Sequence, residues 1–350
     1  MKNTLVQTLP KGPIDIVGDI HGEYKALCAL LEHLNYADNG MHPQGRSLVF
    51  IGDFCDRGPN SPAVIAKVKQ LVQAGHAFAV LGNHEINLLR SDAKPGSGWF
   101  FSNRAASDKE NYAPFVSANK QQRDKIRAFL TQLPLVLERD DIRIVHAAWV
   151  DRYVNAVREI PTNEMVQAFN QWQSQLLAQA QKEQLLQKKQ KEAQQWPYHL
   201  EDKNHQPPML KAHARLDILK RNHNPIKVLT SGVERVTDTP FYVSGKWRFA
   251  QRMPWWDEYN STIPVVIGHY WRKLYPLNSN WVSAADLFQE IHPFAWHGRN
   301  KNVFCVDYSV GGRWIARKYQ HSLKKHFQLA ALQWPEQRLV FANGLTANTL

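Results

Sequence analysis

The stretch Gly18-Asp19-Ile20-His21-Gly22 decides the predicted fold, because its polar residues directly follow a strand-like run at residues 14–17. Two further blocks repeat this order after the runs 48–51 and 78–81: Gly52-Asp53-Phe54-Cys55-Asp56-Arg57-Gly58 and Gly82-Asn83-His84-Glu85. Short apolar runs bounded by turn residues predict buried strands, and 23–34 and 62–74 are expected to form crossover helices between them. The sequence therefore predicts an α/β fold whose polar blocks lie at the carboxyl edge of the sheet, where such folds place ligand sites.

Side chains suited to divalent metal ions follow five of the predicted strands. They are Asp19 and His21, Asp53, Asn83, His146 after the run 142–145, and His269 after the run 265–267. Carboxylate, imidazole and carboxamide donors suit hard or borderline ions, with manganese expected here and iron, zinc or magnesium as alternatives. We predict one ion held by Asp19, His21 and Asp53. The second would be held by Asp53, Asn83, His146 and His269, so that Asp53 bridges the two ions.

The remaining polar residues of the three blocks predict hydrolysis of a phosphoester. Water held between two divalent ions loses a proton near neutral pH and becomes a nucleophile. The planar guanidinium of Arg57 suits two phosphate oxygens at once, so Arg57 is the predicted phosphate-binding residue. His84 is the predicted general acid that donates to the leaving group, and Asp56 is expected to hold its imidazole.

The blocks GDIHG, GDFCDRG and GNHE resemble those of the calcineurin-like metallophosphoesterase superfamily, specifically its phosphoprotein phosphatase branch. The stretches 57–61 and 84–89 are more similar to bacterial members, including the symmetrical dinucleoside tetraphosphatases. The resemblance covers residues 12–150 well and 264–312 loosely. It implies two packed central sheets flanked by helices, a dinuclear metal site, a catalytic histidine with its aspartate, and a phosphate-binding arginine. His146 is followed by Ala147-Ala148, where eukaryotic-type protein phosphatases have two glycines, so the resemblance leaves the substrate open.

The segment between the two similar regions is expected to form an inserted helical cap at 156–225, with the metallophosphoesterase core at 1–155 and 226–350. Within it, Met165, Phe169, Trp172 and Leu176 have the spacing of one helix face, which predicts a long helix over 163–196. Its lysines fit either a solvated helix face or a nucleic-acid contact. Outside the cap, residues 90–122 are expected to be a loop-rich wall beside the site, and 228–249 to be short strands.

Two residues after His269 are candidates for substrate binding. Arg272 is predicted to be a second phosphate-binding residue, chosen from Arg215, Arg248, Arg252, Arg272 and Arg313. Trp271 is predicted to stack on a base, and is chosen from Trp247, Trp255, Trp256, Trp271, Trp281, Trp296 and Trp314. Asp307 ends the strand-like run 303–306, where it either supports a ligand histidine or has a structural role in a turn.

The amino-acid composition predicts the classes of partner and the cellular compartment of the protein. A formal net charge of +12 favours acidic partners, namely phosphorylated small molecules, nucleotides, phosphoproteins or RNA, although it also fits a role in solubility alone. Three distant cysteines do not form a disulfide framework, which indicates a reducing compartment. No stretch is long and apolar enough to span a bilayer, so we expect a cytoplasmic protein with no membrane partner.

These observations predict a dinuclear metal-dependent hydrolase that cleaves phosphoesters or nucleotide polyphosphates. A serine/threonine-type protein phosphatase is the first alternative. A basic RNA-binding protein built on a phosphatase fold is the second, and it is disfavoured because every predicted ligand position is filled.

Overall fold

The computed structural model describes residues 3–243, 245–276, 286–319 and 321–350. The strands are β1 Val6–Thr8, β2 Ile14–Val17, β3 Ser47–Phe50, β4 Ala77–Ala79, β5 Val136–Arg139, β6 Ile142–Val145, β7 Glu234–Val243, β8 Lys246–Arg252, β9 Val265–Ile267, β10 Val303–Cys305, β11 Ala330–Trp334, β12 Arg338–Phe341 and β13 Thr346–Asn348. The helices are α1 Tyr24–His33, α2 Ser61–Gln73, α3 Asn83–Leu89, α4 Ser102–Tyr112, α5 Lys120–Leu130, α6 Asp151–Val157, α7 Met165–Lys182, α8 Leu185–Gln195, α9 Lys211–Asn222, α10 Pro225–Ser231 and α11 Arg313–Lys318. Within the described ranges, no helix has both the length and the apolar character needed to cross a bilayer.

The strands form two large sheets and a hairpin. One sheet has the order β13-β12-β11-β2-β3-β4, in which β2, β3 and β4 are parallel and β11 is antiparallel to β2. The other has the order β1-β5-β6-β9-β10, in which β6, β9 and β10 are parallel. β7 and β8 pair with each other as an antiparallel hairpin.

The two sheets pack face to face across one apolar layer. Residues from one sheet, including Ile16 and Val49, and residues from the other, including Ile144, Val266 and Phe304, belong to the same buried cluster. The intervening strand residues point to the opposite face, since side chains alternate along a strand. The predicted architecture of two packed central sheets flanked by helices is confirmed.

The helices cover the outer faces of this pair of sheets. On the outer face of the six-stranded sheet, Leu48 and Phe50 belong to a second buried cluster together with Leu27 of α1 and Val64 and Val68 of α2. The crossover helices predicted at 23–34 and 62–74 are confirmed as α1 and α2. They return the chain so that the three polar blocks emerge at the same edge of the sheet.

Two local predictions, for 163–196 and for the strands from 228, were wrong. The long helix predicted over 163–196 is two helices, α7 and α8, because Gln184 between them adopts a left-handed backbone with φ of 53°. The segment 90–122, predicted to be loop-rich, lies mostly outside helices but also contains α4 and the start of α5. Residues 225–231 form helix α10, so the strands predicted from 228 begin only at Glu234.

The helices α7, α8 and α9 form a helical segment, residues 165–222, with an apolar cluster of its own. Phe169 near the start of α7 packs in the main core. Farther along, a separate cluster consists of Leu176, Ala180, Leu185, Leu216 and Leu219. The hairpin joins this segment through Phe249, which packs with Leu210 and Ala214. The outer part of the segment is therefore stabilised mainly by its own contacts.

Candidate metal centre

The predicted metal ligands lie at the carboxyl ends of strands from both sheets. Asp19, Asp53 and Asn83 follow β2, β3 and β4 of the six-stranded sheet, while His146 and His269 follow β6 and β9 of the other. Because the sheets pack face to face, their carboxyl edges bring these residues and His21 into one buried region. Asp19, His21, Asp53, His146 and His269 are each at most 8% exposed.

Asp53 lies at the centre of this region. Its Oδ2 is 3.7 Å from Nε2 of His21 and 3.4 Å from Nε2 of His146. The donor atoms of Asp53, His146 and His269 all lie within 4.8 Å of one another, and so do those of His21, Asp53 and His84. One carboxylate is therefore shared by two clusters of donors.

The other predicted ligands contact these clusters. Oδ2 of Asp19 is 3.9 Å from Nε2 of His21, and its carboxylate also accepts the backbone N–H of His269. The side-chain amide of Asn83 lies 2.9 Å from Nδ1 of His269. The structure thus brings all six predicted ligands together.

The donor set fits divalent metal ions. Nε2 of His146 and Nε2 of His269 are buried, and neither atom has a hydrogen-bond partner among the described residues. A buried polar atom without a partner is costly, and an imidazole nitrogen that meets a carboxylate in this way is a ready metal ligand. Nδ1 of His146, in contrast, lies 2.8 Å from the carbonyl of Ile51, an outer contact that orients the ring.

The pKa values of the predicted ligands are shifted in different directions, and the Asp53 carboxylate outweighs burial to raise the pKa of His146 to about 10. Burial and the neighbouring Asp307 carboxylate raise the pKa of Asp19 well above its usual value, because closely spaced buried carboxylates resist ionisation. Burial and the Arg57 guanidinium lower the pKa of His21, and burial and Arg252 lower that of His269. Both imidazoles are therefore held neutral, which is the form that binds metal.

Arg57 and Asp56 lie on either side of His84, which is itself in the cluster with His21 and Asp53. The guanidinium of Arg57 is 3.0 Å from Nε2 of His21 and 3.2 Å from Nε2 of His84. On the other side of the His84 ring, Nδ1 lies 2.5 Å from Oδ2 of Asp56. The structure places the predicted phosphate-binding residue and the predicted acid within contact of each other.

The backbone of the site is unusual. Six of the predicted site residues, which are not glycine, have left-handed φ values: His21, Asp53, Asp56, Arg57, His269 and Trp271. Such conformations cost energy and concentrate at functional sites. The surrounding contacts must therefore hold these loops in place.

Two glycines allow the loops to approach each other. A Cβ atom at Gly82 would lie 2.2 Å from Oδ1 of Asp53, and a Cβ atom at Gly268 would lie 2.1 Å from Oδ1 of Asp19. Any larger residue at either position would displace a carboxylate of the site.

Glu85 has an organising role that the sequence did not reveal. Its buried carboxylate accepts the backbone N–H groups of Asp53 (2.8 Å), Phe54 (2.8 Å) and Gly82 (3.0 Å). It thereby ties the second polar block to the third. The available signal was its position directly after His84 in the third block.

The predicted substrate-binding residues have different surroundings. Trp271 lies at the site, with the Cζ atom of Arg57 5.1 Å from its ring centre. Arg272 is fully buried, and its guanidinium donates to the carbonyls of Cys305, His292 and Ala295. Because these bonds occupy its terminal nitrogens, we do not retain Arg272 as a phosphate-binding residue.

Arg252 on β8 is better placed than Arg272. Its side chain is exposed, its Cζ lies 5.7 Å from the ring of Tyr270, and its charge acts on His269. Of the other candidates, Arg313 donates to the carbonyl of Phe327, and Arg215 pairs with Glu183.

The remaining tryptophans are mainly packing residues. Trp247, Trp255, Trp256 and Trp296 are at most 9% exposed. Trp314 packs beside a small cluster around Ile315 and Phe327, and Trp281 lies outside the described residues. Asp307 accepts the backbone N–H groups of Trp271 and Ser309, so it supports the loop that carries His269.

Comparisons with known proteins identify the family of the chain. The sequence model of the family described as calcineurin-like phosphoesterase matches residues 12–213, which is more than half of the chain. The chain belongs to this family, which confirms the resemblance predicted from the three blocks.

Individual relatives match shorter stretches. The asymmetrical bis(5'-nucleosyl)-tetraphosphatase PrpE of Geobacillus thermodenitrificans is 50% identical over 80 residues, which cover 22% of this chain and 33% of that protein. The symmetrical bis(5'-nucleosyl)-tetraphosphatase of Vibrio campbellii is 33% identical over 150 residues, which cover 41% of this chain and 50% of that protein. The match to these two relatives thus spans a third to a half of their length. A solved structure of a cold-active protein tyrosine phosphatase is 17% identical with a TM-score of 0.46, and the match covers 98% of this chain and 80% of that chain.

Proposed function

We propose that this protein is a dinuclear metal-dependent phosphohydrolase that acts on nucleotide polyphosphates. The observation that carries the proposal is the position of Asp53, whose carboxylate is shared by two clusters of buried donors. A carboxylate shared in this way is the arrangement that a two-metal site requires.

The two ions are assigned to the ligands predicted from the sequence. Asp19, His21 and Asp53 would hold one ion, and Asp53, Asn83, His146 and His269 would hold the other. His84 lies in the cluster with His21 and Asp53, but its Nδ1 contacts the carboxylate of Asp56, which can stabilise a protonated imidazole and therefore suits an acid better than a ligand. When bound, a pair of divalent ions supplies Lewis acidity and makes water more acidic.

The residues around the clusters bind and orient the phosphate. Arg57 presents its guanidinium next to His21 and His84, and a planar guanidinium pairs with two phosphate oxygens at once. Arg252 adds a second positive charge from the hairpin. Trp271 beside Arg57 offers an aromatic face to a base.

His84 delivers a proton to the leaving group. The Nδ1–H of His84 donates a hydrogen bond to Asp56. The opposite ring nitrogen, Nε2, therefore faces the phosphate held by Arg57. A protonated Nε2 can donate to the oxygen that departs from phosphorus.

Nucleotide polyphosphates are the substrate class that these features support. Two of the relatives are named as bis(5'-nucleosyl)-tetraphosphatases. Several phosphates in a row would satisfy both Arg57 and Arg252, while Trp271 contacts the nucleoside.

The test is a substrate panel with the manganese-loaded protein. Diadenosine tetraphosphate, a mononucleotide and a phosphoserine peptide are offered at equal concentrations, and the products are separated by ion-exchange chromatography. We expect cleavage of the tetraphosphate to ATP and AMP or to two ADP molecules. Release of phosphate from the peptide alone would overturn the proposed substrate class, and no hydrolysis of any substrate would overturn the proposed activity.

A further inference from the structure

A buried tryptophan contacts the carboxylate that holds His84. Nε1 of Trp99 donates to Oδ1 of Asp56 at 2.6 Å, while Oδ2 of the same carboxylate lies 2.5 Å from Nδ1 of His84. Trp99 is 2% exposed and Asp56 is fully buried. Each oxygen of Asp56 thus has its own partner, Trp99 on one side and His84 on the other.

The loop that carries Trp99 is tied to the rest of the site. Oδ2 of Asp108 accepts the backbone N–H groups of Gly96 (3.0 Å) and Gly98 (2.7 Å). The carbonyl of Gly96 in turn accepts the N–H of Arg57 at 3.1 Å. The indole is therefore held in place from the α4 side and from the Arg57 side.

We infer that Trp99 is a positioning residue for His84. The bond to Trp99 fixes the plane of the Asp56 carboxylate, so that Oδ2 stays directed at Nδ1 of the imidazole. This keeps the Nδ1 proton on the Asp56 side and leaves Nε2 directed at the leaving group. The hydrogen bond of Trp99 is to Asp56, so it acts through that carboxylate.

The inference rests on the proposed function, because positioning matters only if His84 acts as an acid. Its specific consequence concerns the leaving group. A poorly positioned acid slows the release of a basic leaving group and has little effect on one that departs without a proton.

The test variant is Trp99→Phe, which keeps an aromatic ring and removes the N–H donor. The chain offers a matched control in Trp334→Phe. Nε1 of Trp334 donates to Oδ2 of Asp141 at 2.8 Å, and Trp334 is 7% exposed and lies on β11, outside the proposed machinery. Both variants lose a bond from an indole to an aspartate, which is buried for Trp99 and part-buried for Trp334 because Asp141 is exposed.

The first measurement is hydrolysis of phenyl phosphate and p-nitrophenyl phosphate by the manganese-loaded proteins. We expect Trp99→Phe to lower kcat for phenyl phosphate about 10-fold and to change kcat for p-nitrophenyl phosphate less than about twofold, with KM unchanged for both. Trp334→Phe should keep the wild-type ratio of the two rates. Equal losses on both substrates in Trp99→Phe, or no loss on either, would overturn the inference.

The second measurement does not depend on activity. A proton on Nδ1 of His84 in a short bond to a carboxylate should give a far-downfield NMR signal, which Asp56→Asn removes and so assigns. We expect Trp99→Phe to lose or shift this signal and Trp334→Phe to retain it. If the wild-type protein hydrolyses no phosphoester, the proposed function fails, and the signal alone decides: an unchanged signal in Trp99→Phe overturns the positioning role.

Discussion

The loops of the metal centre and the helical segment 165–222 are stabilised by different interactions. The loops contain left-handed residues and glycines that lie directly against carboxylates, and buried polar contacts such as those of Glu85 hold them in place. The outer helical segment is held by five apolar residues and by surface ion pairs such as Arg215 with Glu183. Small displacements would disable the first region, whereas the second needs only a continuous apolar face. The two regions should therefore respond differently to substitution.

The largest expected effect is that of Asp53→Asn. This variant removes the carboxylate shared by both donor clusters, so we expect manganese retention to fall well below two ions per chain. Turnover should fall by at least about 10⁴-fold, since the ions supply several kcal/mol of charge stabilisation. Elemental analysis and hydrolysis of p-nitrophenyl phosphate measure the two effects.

The exposed Asp140 provides the control, because Asp140→Asn removes a charge at the turn between β5 and β6, away from the clusters. It should retain wild-type ions and turnover. If Asp53→Asn also retained both, the bridging assignment would be wrong.

His84→Asn is expected to separate catalysis from metal binding. The variant should slow hydrolysis by about 10²- to 10⁴-fold, because the general acid is lost, and should still retain both ions. This outcome matters for the geometry, since His84 lies within 4.8 Å of the donor atoms of His21 and Asp53.

Elemental analysis of His84→Asn therefore distinguishes an acid from a ligand. Loss of one ion would show that His84 belongs to the first cluster. The exposed His33 provides a control, and His33→Asn should match the wild type in both measurements.

Substitution of two arginines allows a direct comparison of the two regions. Arg57 lies in a metal loop, and Arg252 lies on the hairpin that packs against the helical segment. Arg57→Ala should weaken inhibition by inorganic phosphate about 10-fold, because a charge-assisted bond in a partly buried position is lost. Arg252→Ala should weaken it about threefold, because its exposed charge is screened by solvent.

Manganese content should stay at the wild-type level in both arginine variants. Lys120→Ala is the control, because Lys120 is exposed and pairs with Asp124 on α5. An inhibition constant for phosphate that is unchanged in Arg57→Ala would remove Arg57 from the phosphate site.

The sequence predicted the ligand positions of the metal loops better than it predicted the contacts that hold these loops or the course of the helical segment. Asp19, Asp53 and Asn83 could be located from the sequence because each directly follows a short apolar strand, and parallel strands end at one edge. Their convergence with His146 and His269 then followed from the same pattern. The sequence did not show which contacts hold the loops, since Glu85 and Trp99 act through backbone and carboxylate partners that are distant along the chain.

Errors arose where local pattern did not determine the backbone or the direction of a side chain. The apolar spacing from Met165 to Leu176 predicted α7, but nothing in the Gln-rich stretch indicated that Gln184 would turn left-handed. Arg272 stood close to His269 in sequence, yet its side chain points into the core and donates to three backbone carbonyls. In an irregular loop, closeness to a ligand along the chain does not determine where a side chain points.

The smallest expected effect on activity is that of Leu216→Ala in the helical segment. Leu216 is 2% exposed and packs only in the separate five-residue cluster, so its truncation should cost about 2 to 4 kcal/mol of local stability. Turnover of p-nitrophenyl phosphate below the unfolding transition should change less than about twofold.

Ile144→Ala in the layer between the sheets is the matched comparison, because Ile144 lies on β6, two residues before His146. A cavity there displaces a metal ligand, so Ile144→Ala should lower both stability and turnover. Equal losses of turnover in the two variants would mean that the helical segment and the metal loops form one cooperative unit.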